Sequence, residues 1–131
     1  MKVVLDTNVL LAAFATRGLC EAVLDVCLAS HEIVLSKHIL KELRRHLTAK
    51  LKLPVEQAEA IVTFLREHAS IVSPAKVPAG ACRDRGDLAV LGTAVSAAAD
   101  CLVTGDRDLL DIRQFHGIPI LSPRAFHDQL P

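Results

Sequence analysis

The chain has no tryptophan, no tyrosine and only four phenylalanines in 131 residues. Modules that hold single-stranded nucleic acid by stacking need aromatic platforms, so composition argues against that class of binder. A charge excess is missing as well, since 15 Lys and Arg balance 15 Asp and Glu. The global field therefore exerts no pull toward a polyanion, and any nucleic-acid contact must come from local sites. Long apolar runs are also lacking: the longest uncharged stretch, Leu88 to Ala99, is well short of the roughly 20 residues that span a bilayer. Four cysteines, at 20, 27, 82 and 101, form no C-x-x-C pair, and Met1-Lys2 leads to Asp6 without an apolar signal core. Both features predict free, packed thiols in a reducing, cytoplasmic setting, with no export and no membrane anchor. Six scattered histidines, without H-x-H or H-E-x-x-H, argue against a zinc hydrolase. The phosphate-binding motifs G-x-x-x-x-G-K-[ST] and G-x-G-x-x-G and the elbow G-x-S-x-G do not occur either.

What is present is a hydrophobic content of 51%, enough for one core, and residues 1–131 read as a single domain. Lys2 to Leu5 is a short β-branched run, and Asp6-Thr7-Asn8 can cap a helix beginning near Val9. A second helix is predicted from Leu19 to Ser30, with Leu19, Ala22, Val23, Val26 and Cys27 at helical spacing. Glu32 to Leu35 follows as a strand, with Ser36 capping a helix striped by Ile39, Leu40, Leu43 and Leu47. Pro54 starts a further helix, and Ser70 to Val72 is a third strand. Ser73 to Gly86, with two prolines and two glycines, is the one long irregular segment and is marked as functional on that ground. Asp87 to Ala99 reads as a buried helix, Cys101 to Val103 as a fourth strand, and Ile118 to Leu121 as the last strand before a Ser122-Pro123 cap. Alternation of strands and helices predicts an α/β domain with a mainly parallel sheet covered on both faces.

Ligands of open parallel sheets bind beyond the carboxyl ends of the strands. Asp6 follows the first strand there, and Asp106 follows Val103-Thr104-Gly105 at the end of the fourth. Asp87 opens the late helix, and Glu42 sits early on the helix after the second strand. Four carboxylates in one cleft suit Mg²⁺ or Mn²⁺, which take oxygen ligands and keep waters for reaction. Such ions hydrolyse phosphodiesters, singly or as a pair roughly 4 Å apart. Each acid also has a plainer reading. Asp6 or Asn8 can cap a helix, Asp87 can favour a helix start, Glu42 between Lys41 and Arg45 can be a solvated position, and Asp106, Asp108 and Asp111 can occupy a turn.

The joint pattern resembles the PIN-domain family, and within it the compact prokaryotic nucleases that are toxin components of toxin–antitoxin systems. Four segments carry the resemblance in order: Val3 to Leu10, Ser36 to Leu43, Asp87 to Leu91, and Leu102 to Leu109. It implies a three-layer α/β/α sandwich and a Mg²⁺- or Mn²⁺-dependent endoribonuclease with Asp6, Glu42, Asp87 and Asp106 as metal-site and catalytic carboxylates. Asn8 and Thr104 would then be supporting polar residues, with Asp84 and Asp108 as further acids. An antitoxin partner and a homodimer are implied in the same way. One departure stands out: the stretch before the late helix is Arg83-Asp84-Arg85-Gly86-Asp87, with fewer acids than relatives carry, which leaves open whether one ion or two are held.

Basic residues cluster beside these acids. Arg44, Arg45, His46, Lys50 and Lys52 surround Glu42, and Arg83, Arg85, Arg107 and Arg113 lie near the other acidic segments. Arg85 and Arg107, then Arg44 and Arg45, are expected to hold the RNA backbone, since phosphate contacts position a strand without reading it. Two other classes compete: a PIN-like scaffold that binds RNA or protein with little turnover, and a receiver-like phosphotransfer domain, which lacks a basic residue directly after Val103.

Overall fold

In the computed structural model, which describes residues 1–131, the chain begins with strand β1 (Lys2–Leu5) and helices α1 (Thr7–Ala15) and α2 (Leu19–Ser30). Strand β2 (Glu32–Leu35) leads to α3 (Lys37–Ala49) and α4 (Val55–His68), then β3 (Ala69–Ile71). A 3₁₀ turn at Ala79–Ala81 precedes α5 (Arg85–Ala97), β4 (Cys101–Val103) and α6 (Arg107–Leu110). The chain closes with β5 (Gln114–Phe115), β6 (Ile118–Leu121) and α7 (Pro123–Asp128). No helix is long and apolar enough to cross a membrane.

The six strands form one sheet in the order β3-β2-β1-β4-β6-β5, parallel except for the β5–β6 pair. Successive side chains of a strand point to opposite faces. Val3, Val4 and Leu5 are nevertheless all buried, as are Ile33 to Leu35 and Cys101 to Val103. Both faces of the central strands are therefore covered, which produces the three-layer α/β/α arrangement expected for a parallel sheet. The amphipathic helix α3 shows the matching device, burying Ile39, Leu40, Leu43 and Leu47. Ser36 caps it by accepting from the Ile39 N–H at 3.3 Å.

Several boundaries differ from the sequence expectations for local reasons. Helix α1 starts at Thr7 rather than near Val9, because the Asp6 carboxylate accepts the Thr7 N–H at 2.7 Å. Helix α5 starts at Arg85, because Asp84 rather than Asp87 is its cap and accepts the Gly86 N–H at 2.7 Å. Strand β3 is shifted by one residue and follows α4 directly. Strand β5 was not foreseen. It pairs with β6 across a two-residue turn, His116-Gly117, where both φ angles are positive (52° and 77°), the geometry of a tight hairpin turn. Its two residues are too few to show a period, and His-Gly is a weaker turn signature than Asn-Gly.

The irregular stretch after β3 is a strap. The Ala75 N–H donates to the Gly92 carbonyl at 2.9 Å, so the extended chain crosses α5 at a residue without a side chain. A Cβ on Gly92 would sit 2.3 Å from the Ala75 carbonyl oxygen. This crossing carries the chain across α5 before Asp84 caps that helix beside the acids.

Candidate active site

β1 hands the chain leftward to β2, whereas β4 hands it rightward to β6, so the order reverses between β1 and β4. Loops diverge at such a switch point and leave a crevice at the carboxyl ends of the two strands. The parallel register pairs Leu5 with Val103, which sets Asp6 beside Thr104. The Asp6 N–H continues the ladder by donating to the Val103 carbonyl at 3.0 Å.

Asp6 is buried and held from three sides. One oxygen accepts the Thr7 N–H; the other accepts the Thr104 hydroxyl at 2.8 Å and the Asn8 amide at 3.3 Å. The Thr104 oxygen in turn accepts the Asp106 N–H at 3.0 Å, and the Asn8 side-chain oxygen accepts the Gly105 N–H at 3.0 Å. Asp106 caps α6 by accepting the Asp108 N–H at 3.0 Å. The capping reading and the site reading thus coexist, since Asp6 and Asp106 each cap a helix and both line the cleft. Burial raises the Asp6 pKa, with Asp106 adding to the rise, while the Thr104 and Thr7 bonds and His38 oppose it.

Asp87 lies in the first turn of α5, 8% exposed, and as a carboxylate its buried Oδ2 receives no hydrogen-bond donor. Its pKa is pushed up to about 8, first by burial, then by the hydrogen bond its protonated form makes to Asp106, and by the charges of Asp106, Asp6 and Asp84. Two carboxylates so placed resist ionising together unless a cation joins them.

Asp6, Glu42, Asp87 and Asp106 all line one cleft of about 460 Å³, together with Asn8 and Asp84. Glu42 reaches it from α3, with its Oε2 clasped by Arg45 at 2.6 Å and 3.7 Å from His46. No three His, Cys, Asp or Glu side chains are grouped closely enough to hold a metal ion as they stand; the acids line the walls of an open crevice. The oxygen-only donor set and the orphaned Asp87 oxygen fit a hard divalent cation.

The remaining sequence candidates fall elsewhere. Asp108 pairs with Arg83 at 3.4 Å and does not line the cleft. Arg85 and Arg107 are exposed and lie outside its wall, and Arg44 forms an ion pair with Glu59 on the neighbouring helix. Of the four arginines expected on the substrate path, only Arg45 lines the acidic cleft. Lys50, His38 and His46 join it there. His46 and Lys50 belong to the basic cluster expected around Glu42, whereas His38 matches no motif and shows in the sequence only through the shared helix face of positions 38, 42 and 46 at spacing i, i+4, i+8. Burial, reinforced by Lys50 and Arg45, lowers the His46 pKa against the pull of Glu42. All four cysteines are free thiols. Cys82 lies beside the acids, its thiol pKa raised by burial and then by Asp87, Asp84, Asp106 and Asp108.

The profile of the PIN domain matches residues 2–108. The chain therefore belongs to the PIN domain family. Its fold is similar to VapBC2 from Rickettsia felis bound to a DNA fragment from their promoter, with a TM-score of 0.66 and 17% identity over 93% of this chain and 98% of that one. VapBC-1 from nontypeable Haemophilus influenzae is similar at 0.65 and 18%, over 95% and 99% of the chains. FitAcB from Neisseria gonorrhoeae is similar at 0.56 and 15%, over 93% and 98%. At such identities the likeness is one of fold. Comparison with curated protein sequences gives no significant match.

Proposed function

We propose that this chain is a Mg²⁺- or Mn²⁺-dependent endoribonuclease and the toxin of a toxin–antitoxin pair. The observation that carries the reading is the buried, unpartnered oxygen of Asp87 beside Asp106 and Asp6 in the switch-point cleft. An acid left without a donor costs stability, and a divalent cation is the ligand that offsets it. Asp6, Asp87 and Asp106, with Glu42 from the opposite wall, would hold one ion or two. When bound, such an ion supplies a hydroxide near neutral pH and neutralises charge developing on a phosphodiester.

The chain's own residues prepare the site. Thr104 and Asn8 orient Asp6, the Asp108 N–H orients Asp106, and Ser36 anchors the helix that presents Glu42. The Arg45 guanidinium is suited to grip a phosphate in place of its own carboxylate partner, because its planar fork matches either group. Lys50 adds a second cation on the same wall. A binding-only scaffold is favoured by one contact, the short Arg45–Glu42 pair, which occupies a ligand the reaction needs.

The antitoxin partner is supported by the fold shared with VapBC2 and VapBC-1. A second copy of this chain is supported by the exposed Val55 and Phe64 of α4. The deciding experiment is cleavage of single-stranded and hairpin RNAs by the pure protein with Mg²⁺, Mn²⁺ or EDTA, beside Asp6→Asn. Metal-dependent products lost in the variant are expected. Uncut RNA with folded protein and either metal would leave the scaffold.

A further inference from the structure

Helix α3 carries Lys37, Lys41, Arg44 and Arg45 against a single acid, Glu42, in a chain whose charges balance overall. Positions 37, 41 and 44 repeat at i, i+4, i+7, so the first three cations lie on one stripe about one turn (~5.4 Å) apart. Like charges at that spacing destabilise a helix unless an anion lies between them. Lys37, Lys41 and Arg66 have no ion-pair partner, while Arg44 is paired with Glu59.

The surface around this stripe is concave. A hollow of about 380 Å³ is lined by Lys37, Leu40, Lys41, Arg44 and Arg66, without an acid among them. A second hollow, of about 550 Å³, shares Lys41 and Arg44 with the first and shares Glu42 and Arg45 with the carboxylate cleft. The three hollows adjoin one another along α3 through these shared walls, acidic where Asp6, Asp87 and Asp106 lie and basic at the far end.

We propose that the Lys37–Lys41–Arg66 hollow is an exosite for the phosphodiester backbone of an RNA strand whose other part lies in the carboxylate cleft. The inference rests on the ribonuclease reading and extends it to a second contact outside the chemistry. The shared walls of neighbouring hollows favour one strand over a separate ligand, and cations on long flexible stems hold phosphates without reading bases. The site therefore favours long substrates over short ones, whatever their sequence at that end.

The test uses fluorescent single-stranded RNAs of about 4 and about 16 nucleotides, the range single-strand grooves cover. Binding is followed by anisotropy in EDTA across a KCl series, for the wild type and for the triple variant Lys37→Gln, Lys41→Gln, Arg66→Gln. The variant is expected to bind the long RNA about tenfold more weakly at moderate salt, with a log–log salt slope shallower by about 2, since each lost phosphate contact removes about 0.7. Lys37→Arg with Lys41→Arg keeps the charge and should keep the slope, and melting temperatures report folding. An unchanged long-RNA slope in a folded triple variant overturns the exosite. So does loss of poly-glutamate binding in that variant with RNA binding intact, which would assign the hollow to an acidic protein segment. Cleavage of the long RNA in Mn²⁺ tests the ribonuclease reading by itself. If it stays uncut while the long-RNA slope still falls in the variant, the exosite stands and the nuclease reading fails.

Discussion

Replacing Asp87 by Asn should stabilise the metal-free protein, and the gain should grow with pH. The folded-state pKa of Asp87 is raised from 3.8 to about 8. Between those values the native protein holds a proton that the unfolded chain has released. Stability therefore falls as pH rises through the window, and the loss is complete only above the folded pKa. A pKa unit corresponds to about 1.4 kcal/mol, so the whole rise sets an upper bound of about 6 kcal/mol. The cleft is open to water, which screens the charges, so we expect about 2 kcal/mol to be realised, within the usual cost of a buried unsatisfied polar group. The assay is urea unfolding in EDTA from pH 4 to pH 9. With a urea dependence of about 2 kcal/mol per molar, the D87N midpoint should lead the wild type by about 1 M more at pH 9 than at pH 4. A difference that stays constant with pH, or one that favours the wild type at pH 9, would refute the reasoning. Adding Mg²⁺ at pH 8 should raise the wild-type midpoint and leave that of D87N little changed.

Two further outcomes follow from single contacts. Gly92→Ala places a methyl 2.3 Å from the Ala75 oxygen and 3.1 Å from the Pro74 Cβ; because the nearest atom is backbone, the strap must shift, and urea unfolding should show a loss of about 2–3 kcal/mol. Thr104→Val removes the hydroxyl that donates to Asp6 and accepts from the Asp106 N–H. It should cost about 1–3 kcal/mol and raise the Mg²⁺ concentration needed for half-maximal cleavage, whereas Thr104→Ser should restore most of both.

Local chemistry made most of the framework legible. The run Val3 to Leu5 ends in an acid that caps the next helix, Ser36 precedes the stripe of α3, and Ser122-Pro123 opens α7; these read correctly because a cap and a periodic face act within a few residues. The missed strand β5 depended on pairing with β6, which two residues cannot announce. Asp84 both lines the cleft and caps α5, because either role suits a carboxylate before a helix.

Asp6 and Asp106 stood out by position, since strand ends in a parallel sheet are where chemistry gathers, and Asp87 and Glu42 joined them as acids early on helices; all four line one cleft. Their surroundings were legible only in part, through the basic cluster around Glu42. Arg85 and Arg107 stood next to acids in the chain, yet they are exposed outside the cleft, whereas Arg45, Lys50, His38 and His46 line its wall from α3. Linear proximity says little about which face of a helix a side chain leaves from, and the packing of α3 against its neighbours decides that. Sequence by itself determined the alternating α/β plan and singled out the four carboxylates as candidates, because periodicity, caps and strand ends are written over short distances. The reversal of strand order between β1 and β4, the buried orphan oxygen of Asp87 and the adjoining hollows along α3 were decided only by tertiary structure. Each depends on residues dozens of positions apart being brought into contact.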